Sequence, residues 1–202
     1  MIEYAINNSD KLGKALLDHL EIVVITLIIS LLLAALLTTL AMYSNALSKI
    51  LVYAFSIIYS IPSLALFAML IPVTGLGKVT AVTVLVIYNQ YLLLRNFITG
   101  LNQVEPAIIE AATGIGMSNW QIIFKIRFPL SKRALFTGVH LAVVSSIGIA
   151  TIAASINAGG LGSVLFDGLR TMNVYKIIWG SILAAGLAIG VNTILGKFEQ
   201  KI

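Results

Sequence analysis

The sequence predicts an all-α integral membrane protein with five transmembrane helices, organised as one domain over residues 1–202. Three observations carry this. The chain is 59% hydrophobic and only 10% charged, with a mean hydropathy of +1.00. A soluble domain carries about 25% charge, and a core of this size cannot hide so much apolar surface from water, so lipid must be the solvent. Five long runs are nearly free of charge, and a polar stretch at residues 100–133 separates the third from the fourth. The chain has no cysteine, which excludes disulfides, thiol nucleophiles and cysteine-ligated metals. Its net charge of +5 is not gathered into a basic run interleaved with aromatics, so no nucleic-acid partner is expected. Surplus lysine and arginine in a membrane protein sets orientation instead.

Residues 1–21 are polar, with Glu3, Asp10, Asp18 and Glu21 against Lys11 and Lys14. They do not resemble a cleaved signal peptide, which begins basic and has a short apolar run. His19 lies between Asp18 and Glu21 in what reads as a solvated segment at the membrane edge, and no metal site is assigned to it. The first span covers 22–42, long enough to cross a hydrocarbon layer of about 30 Å. The second, 50–72, contains Pro62 and Pro72. Each removes a backbone donor and tends to kink a helix. Pro62, with Tyr59 beside it, is either a packing kink or part of a bent helix lining a pathway.

Residues 74–78 (TGLGK) resemble half of a phosphate-binding loop, and the resemblance fails. A Walker A loop needs Gly, four residues, then Gly-Lys-Ser/Thr. Here Pro72 stands at the first glycine position and Val79 follows the lysine. This chain is therefore not expected to hydrolyse nucleotide. The third span, 79–98, carries Asn89 and Gln90. Amides are costly in lipid unless paired, so these face other helices as interhelical glue or, second, line a pathway.

The fourth span, 134–156, is rich in small residues that let helices approach closely. Its His140 has no carboxylate nearby in the chain and reads as a hydrogen-bonded packing residue. His140, Ser145 and Ser146 do not form a hydrolase site, because residues five or six apart do not face each other on a helix. Residues 157–175 are glycine-rich and then amphipathic, too polar and broken to span. Asn157, Gly159 and Gly160 are candidate pathway or gate residues there. The fifth span, 177–196, holds Gly186 and Gly190 at the small-xxx-small spacing of close helix pairs. A polar tail, 197–202, ends the chain.

Five spans place the two termini on opposite sides. With residues 100–133 in the cytoplasm, that side holds Lys49, Arg95, Lys125, Arg127, Lys132, Arg133, Lys197 and Lys201, eight of the 13 basic residues. The positive-inside rule then places the N-terminus outside and the C-terminus inside. Within the polar stretch, Pro106 suits a first helical turn and Gly114 a helix end. Ile115 and Gly116 make a corner. Ser118 and Gln121 have capping-box spacing, opening a second helix from Asn119 that stops before Pro129. Trp120, Ile123, Phe124 and Arg127 fall on adjacent turns of it. Such a helix suits either insertion into a protein groove or the bilayer surface.

The residues Glu110-Ala111-Ala112, then Gly116, Ile126 and Phe128-Pro129 resemble the cytoplasmic signature of binding-protein-dependent ABC import permeases. The one departure is Phe128 in place of leucine, which keeps the position apolar. Residues 59–77, 88–101 and 156–170 are similar to permeases of glycine betaine, carnitine and choline importers. The resemblance implies a small ABC importer permease fold in the bacterial inner membrane. It implies that 100–133 is a helix-turn-helix coupling loop. Glu110, Ala111, Ala112 and Gly116 would shape its bend, Met117, Ser118, Trp120, Gln121 and Phe124 would meet an ATPase subunit, and Pro129 would close the motif. It implies three protein partners: that ATPase, an extracytoplasmic solute-binding protein and a second permease, identical or paralogous. ATP and Mg would sit on the ATPase, with no cofactor, metal or catalytic residue in this chain. Alternatives are a permease for another small solute such as methionine, or an ion-coupled secondary transporter. The latter would more often carry intramembrane carboxylates, whereas Glu105, Glu110 and Asp167 fall in loops.

Overall fold

The computed structural model describes residues 2–201. Among them every regular element is helical: α1 (Ile2–Asn7), α2 (Ser9–Ala41), α3 (Asn45–Tyr59), α4 (Ser63–Thr74), α5 (Lys78–Asn102), α6 (Pro106–Gly114), α7 (Asn119–Ile122), α8 (Phe128–Leu130), α9 (Lys132–Ala153), α10 (Leu161–Arg170) and α11 (Val174–Glu199). A π-helical stretch, Ile123–Arg127, joins α7 to α8, and a 3₁₀ turn, Ala154–Ile156, extends α9. Four helices are long and apolar enough to cross a membrane: α2, α5, α9 with its 3₁₀ turn, and α11. The α3–α4 pair makes a fifth span if its break is counted within one crossing.

The helices run past the expected ends of their apolar runs. α2 begins at Ser9 rather than 22 and has 33 residues, about 50 Å of helix at 1.5 Å per residue. Charged residues mark where lipid ends but do not stop a helix, so the runs located the spans better than their boundaries. The second run is broken, not kinked. α3 and α4 meet at 98°. Pro62 has extended ψ of 137°, and a residue before proline avoids helical geometry. The Tyr88 hydroxyl donates to the Ile61 carbonyl at the break, supplying a partner that the helix has lost. Pro72, expected to interrupt the run as well, lies inside α4, which continues to Thr74.

α5 is the centre, packed against α2, α3, α4 and α9. Of its most apolar stretch 61% is buried, against 6% for α11, which lies at the periphery. Phe67, Val84, Leu85, Tyr88 and Ile147 join one apolar cluster around it, and Leu93, Phe97 and Ala142 join another. Asn89 and Gln90 are wholly buried. Asn89 Nδ2 donates to Ser146 Oγ of α9 at 2.9 Å and to Ser30 Oγ of α2 at 3.3 Å. Gln90 Nε2 donates to the Ser30 carbonyl at 3.2 Å. These amides tie the three central helices together, and as the chain stands they face no open space.

One histidine departs from its sequence reading and the other finds an unexpected partner. His19 is not solvated but fully buried. Its Nε2 donates to the Ile147 carbonyl at 3.2 Å, and its Nδ1 accepts from the Leu161 N–H at 3.3 Å. One imidazole thus joins α2, α9 and the start of α10. His140 is hydrogen-bonded as expected, but to a carboxylate from the tail. Its Nδ1 lies 2.8 Å from Glu199 Oε2 and its Nε2 3.0 Å from Asn192 Oδ1. Thr137 donates to the other Glu199 oxygen. α11 continues through Glu199 and pins its end to α9; sequence distance hid this pair.

Close approach also falls on other glycines than expected. Nothing lies within 4 Å of a Cβ built on Gly186 or Gly190. A Cβ on Gly162 would overlap the Thr151 backbone, so α10 rides directly on α9. A Cβ on Gly180 would come within 2.8 Å of the Leu165 nitrogen, bringing α11 onto α10. Asp167 then latches the α10–α11 corner, with Lys176 Nζ at 2.5 Å and Arg170 Nη2 at 2.8 Å.

Two outcomes follow for the purified chain in detergent. Gly162→Ala forces two backbones apart and lowers the melting temperature by the equivalent of about 1–3 kcal/mol. Gly186→Ala has open space and gains helix propensity, so its melting temperature is unchanged or higher. The hydrogen bond from Lys176, and then that from Arg170, hold the Asp167 carboxyl down at about 2 from its usual 3.8. The latch is therefore present above pH 3.8 and is lost as pH falls through about 2. Lys176→Met raises the Asp167 value towards 3.8, read by carboxyl NMR of the labelled residue.

Candidate functional site

Residues 103–131 form a compact unit at one end of the bundle. Pro106 opens α6 at its first turn. The helix ends in a Schellman motif: the Met117 N–H donates to the Ala112 carbonyl and the Gly116 N–H to the Thr113 carbonyl, both at 3.0 Å. Gly116 takes φ +84°, the left-handed conformation that this motif asks of its residue and that favours glycine. α6 ends at Gly114, as expected, and the left-handed glycine that closes its Schellman motif is Gly116. Ala112 is buried, while Glu110 and Ala111 are exposed.

The capping box is made. Ser118 Oγ accepts from the Gln121 N–H at 3.3 Å, and Gln121 Oε1 accepts from the Ser118 N–H at 2.8 Å. The following helix does not stop before Pro129, as expected. It widens into the π-helical stretch and continues to Leu130. The Phe128 N–H reaches back five residues to the Ile123 carbonyl. That wider register moves the carbonyl which proline would meet in a regular α-helix.

This helix has two unlike faces. Ile122 and Ile123 are buried. Trp120 is 53% exposed and Phe124 43%, with ring centroids 4.3 Å apart, so they form one aromatic step facing outward. Lys125 beside them is exposed. The sequence grouped Ile123 and Arg127 with these rings; the structure separates them. Arg127 turns back, and its Nη1 donates to the Leu101 carbonyl at 2.7 Å and to Asn102 Oδ1 at 3.2 Å. Ser131 Oγ donates to the Gly100 carbonyl at 2.8 Å. The last carbonyls of a helix lack partners within it, and here α5's are taken by the loop. Neither Arg127 nor Ser131 was marked as an attachment point. The only hint was that α5 ends in Gly-Leu-Asn with no basic residue in its own last turn.

The candidate pathway residues do not form one group. Tyr59 packs edge-on to Tyr88 at 5.5 Å and tilted against Tyr91 at 4.9 Å, close to the Pro62 break. Asn89 and Gln90 lie inside the bundle next to Tyr88. Asn157, Gly159 and Gly160 are at the other end of α9 from the loop, with φ of +69°, +86° and +77°. Gly160 lies against His19, where a Cβ would come within 2.9 Å of Nδ1. At that same end Lys78 pairs with Glu21 at 2.6 Å and Asp18 at 3.5 Å. A Cβ on Gly77 would meet the Asn157 carbonyl at 3.7 Å. Three segments far apart in sequence thus share one polar surface.

Comparison with known proteins follows the same lines. Residues 26–202 match the family model described as binding-protein-dependent transport system inner membrane component. The carnitine transport permease protein OpuCB of Listeria monocytogenes is 38% identical over 147 residues, 73% of this chain and 67% of that protein. The osmoprotectant import permease protein OsmW of Salmonella typhimurium is 31% identical over 203 residues, 98% of this chain and 94% of that protein. Among solved structures, an inward-facing form of the MetNI methionine ABC transporter matches with a TM-score of 0.86 over 94% of this chain and 95% of that one. At 18% identity that likeness is one of fold. The helical bundle, the family match and these relatives agree: this chain belongs to the binding-protein-dependent transport system inner membrane components.

Proposed function

We propose that the chain is the permease subunit of an ATP-driven importer in the bacterial inner membrane. It forms half of a path for a compatible solute such as glycine betaine, carnitine or choline. The observation that carries the reading is the loop at 103–131, anchored to α5 on one face and presenting Trp120 and Phe124 on the other. Rings left bare beside Lys125 suit a groove in another protein, here the ATPase that binds ATP and Mg. The solute class rests on the names of the sequence relatives.

In this reading the loop and C-terminus are cytoplasmic and the N-terminus is outside. The eight-to-five division of basic residues supports that orientation. The surface shared by Asp18, Lys78 and Asn157 then faces outward, where a solute-binding protein would deliver its cargo. A second permease completes the path between the two copies. ATP-driven approach of two ATPase subunits moves the loops, and the anchors at Gly100 and Leu101 pass that motion to α5. Nucleotide must favour one state of the assembly over the other, since equal affinity for both shifts nothing.

In the reconstituted transporter, Trp120→Ala and Gly116→Val each abolish ATP-dependent uptake of labelled choline, carnitine and glycine betaine and reduce co-purification of the ATPase. Membrane levels of the chain stay normal; full uptake in both variants sinks the assignment. Dissipating ion gradients with ATP held constant leaves uptake intact, the opposite of a secondary transporter. Ser118→Ala removes the cap and costs about 1 kcal/mol locally. Amide exchange over 119–123 then speeds up roughly fivefold, with exchange in α5 unchanged.

A further inference from the structure

A cleft of about 540 Å³ lies between the end of α2, the end of α5, the 123–128 stretch and the start of α9. Its volume is within the range of about 300–1,000 Å³ typical of sites for small molecules. Its walls are mainly apolar, with Phe97, Phe124, Phe128 and Phe136 prominent. Among the described residues, the charged ones lining it are Lys132 and Lys201. Both are exposed, and neither makes an ion pair among the described residues. Thr38 also lines it, and its buried hydroxyl has no hydrogen-bond partner among the described residues.

We propose that this cleft is a binding site for one anionic glycerophospholipid. Acyl chains lie along Phe97, Phe128 and Phe136, and the phosphate lies between Lys132 and Lys201. The placement fits: the apolar runs of α2 and α5 end here, at the level where a bilayer presents its headgroups. Basic pockets between transmembrane helices select anionic headgroups, and long lysine side chains reach the interface from within. Two cations, with no carboxylate among the described lining residues, do not fit a zwitterionic headgroup as well. The inference requires only that the chain sits in a membrane, so it stands or falls separately from the importer reading. It adds a consequence: Phe124 and Phe128 belong to the loop, so an occupied cleft braces the loop against α2 and α9.

The test is native mass spectrometry of the delipidated full chain titrated with phosphatidylglycerol or phosphatidylcholine. Phosphatidylglycerol binds on the order of tenfold more tightly, and the Lys132→Gln/Lys201→Gln double variant removes the difference. Lys125→Gln, an exposed lysine outside the cleft, keeps it. Ala35 is an exposed wall residue of the cleft, so Ala35→Trp fills the space without touching the core and abolishes binding of both lipids. Equal binding of the two lipids by the parent overturns the proposal, as does unchanged binding in Ala35→Trp. A photo-reactive residue at Ala35 in cells yields a phospholipid adduct; a protein adduct there means another chain fills the cleft and also overturns it.

Discussion

Lipid tails are as apolar as leucine, so helices inside a bilayer gain little by hiding apolar surface from one another. Association must come from close packing and from polar groups that find partners. In this chain that requirement is met in large part around α5, although Gln90 Oε1 has no partner among the described residues. Asn89 and Gln90 bond to Ser30 and Ser146 and hold α2 and α9 to the central helix. Each such bond contributes only about 0.6 kcal/mol in membrane hosts. Their larger effect is on register, because any slip would leave amides unpaired in the dry interior.

His19 plays the same part nearer the end of the bundle. A neutral imidazole donates at one nitrogen and accepts at the other, and both roles are filled by backbone from different elements. Gly160 lies against the ring, where a side chain would displace it. The polar surface of Asp18, Lys78 and Asn157 is therefore built on a fixed frame. A partner docking there would meet a shape already formed, without an ordering cost at each encounter.

At the opposite end the loop is fastened to the bundle. The loop spends Arg127 and Ser131 on the terminal carbonyls of α5 and buries Ile122 and Ile123 beneath itself. Outside remain the step of two rings and Lys125, together with the exposed side chains of Ile115, Phe128 and Leu130. The Schellman turn at Gly116 and the capping box at Ser118 keep the corner stiff, so displacement of the rings is not absorbed there.

Much of this was legible in the sequence because it is local. Hydropathy located the membrane helices, since a helix in lipid must show lipid an apolar face over its full length. The Gly116 corner, the cap at Ser118 and the need to pair Asn89 and Gln90 follow from backbone and side-chain chemistry within a few residues. What the sequence could not decide depends on residues far apart. His19 read as solvated because its neighbours are charged, yet α9 and the start of α10 cover it. His140 read as lacking a carboxylate because Glu199 is 59 residues away. Gly186 and Gly190 have the spacing of a helix contact, but Gly100, Gly162, Gly168 and Gly180 make close ones, because which face meets a neighbour is set by the crossing of whole helices. Composition and local chemistry thus determined the class of molecule, its long apolar runs and the corner within its loop. Only the tertiary structure decided which polar groups are paired and which face of the loop is bare, since both depend on surfaces that exist only once the helices have packed.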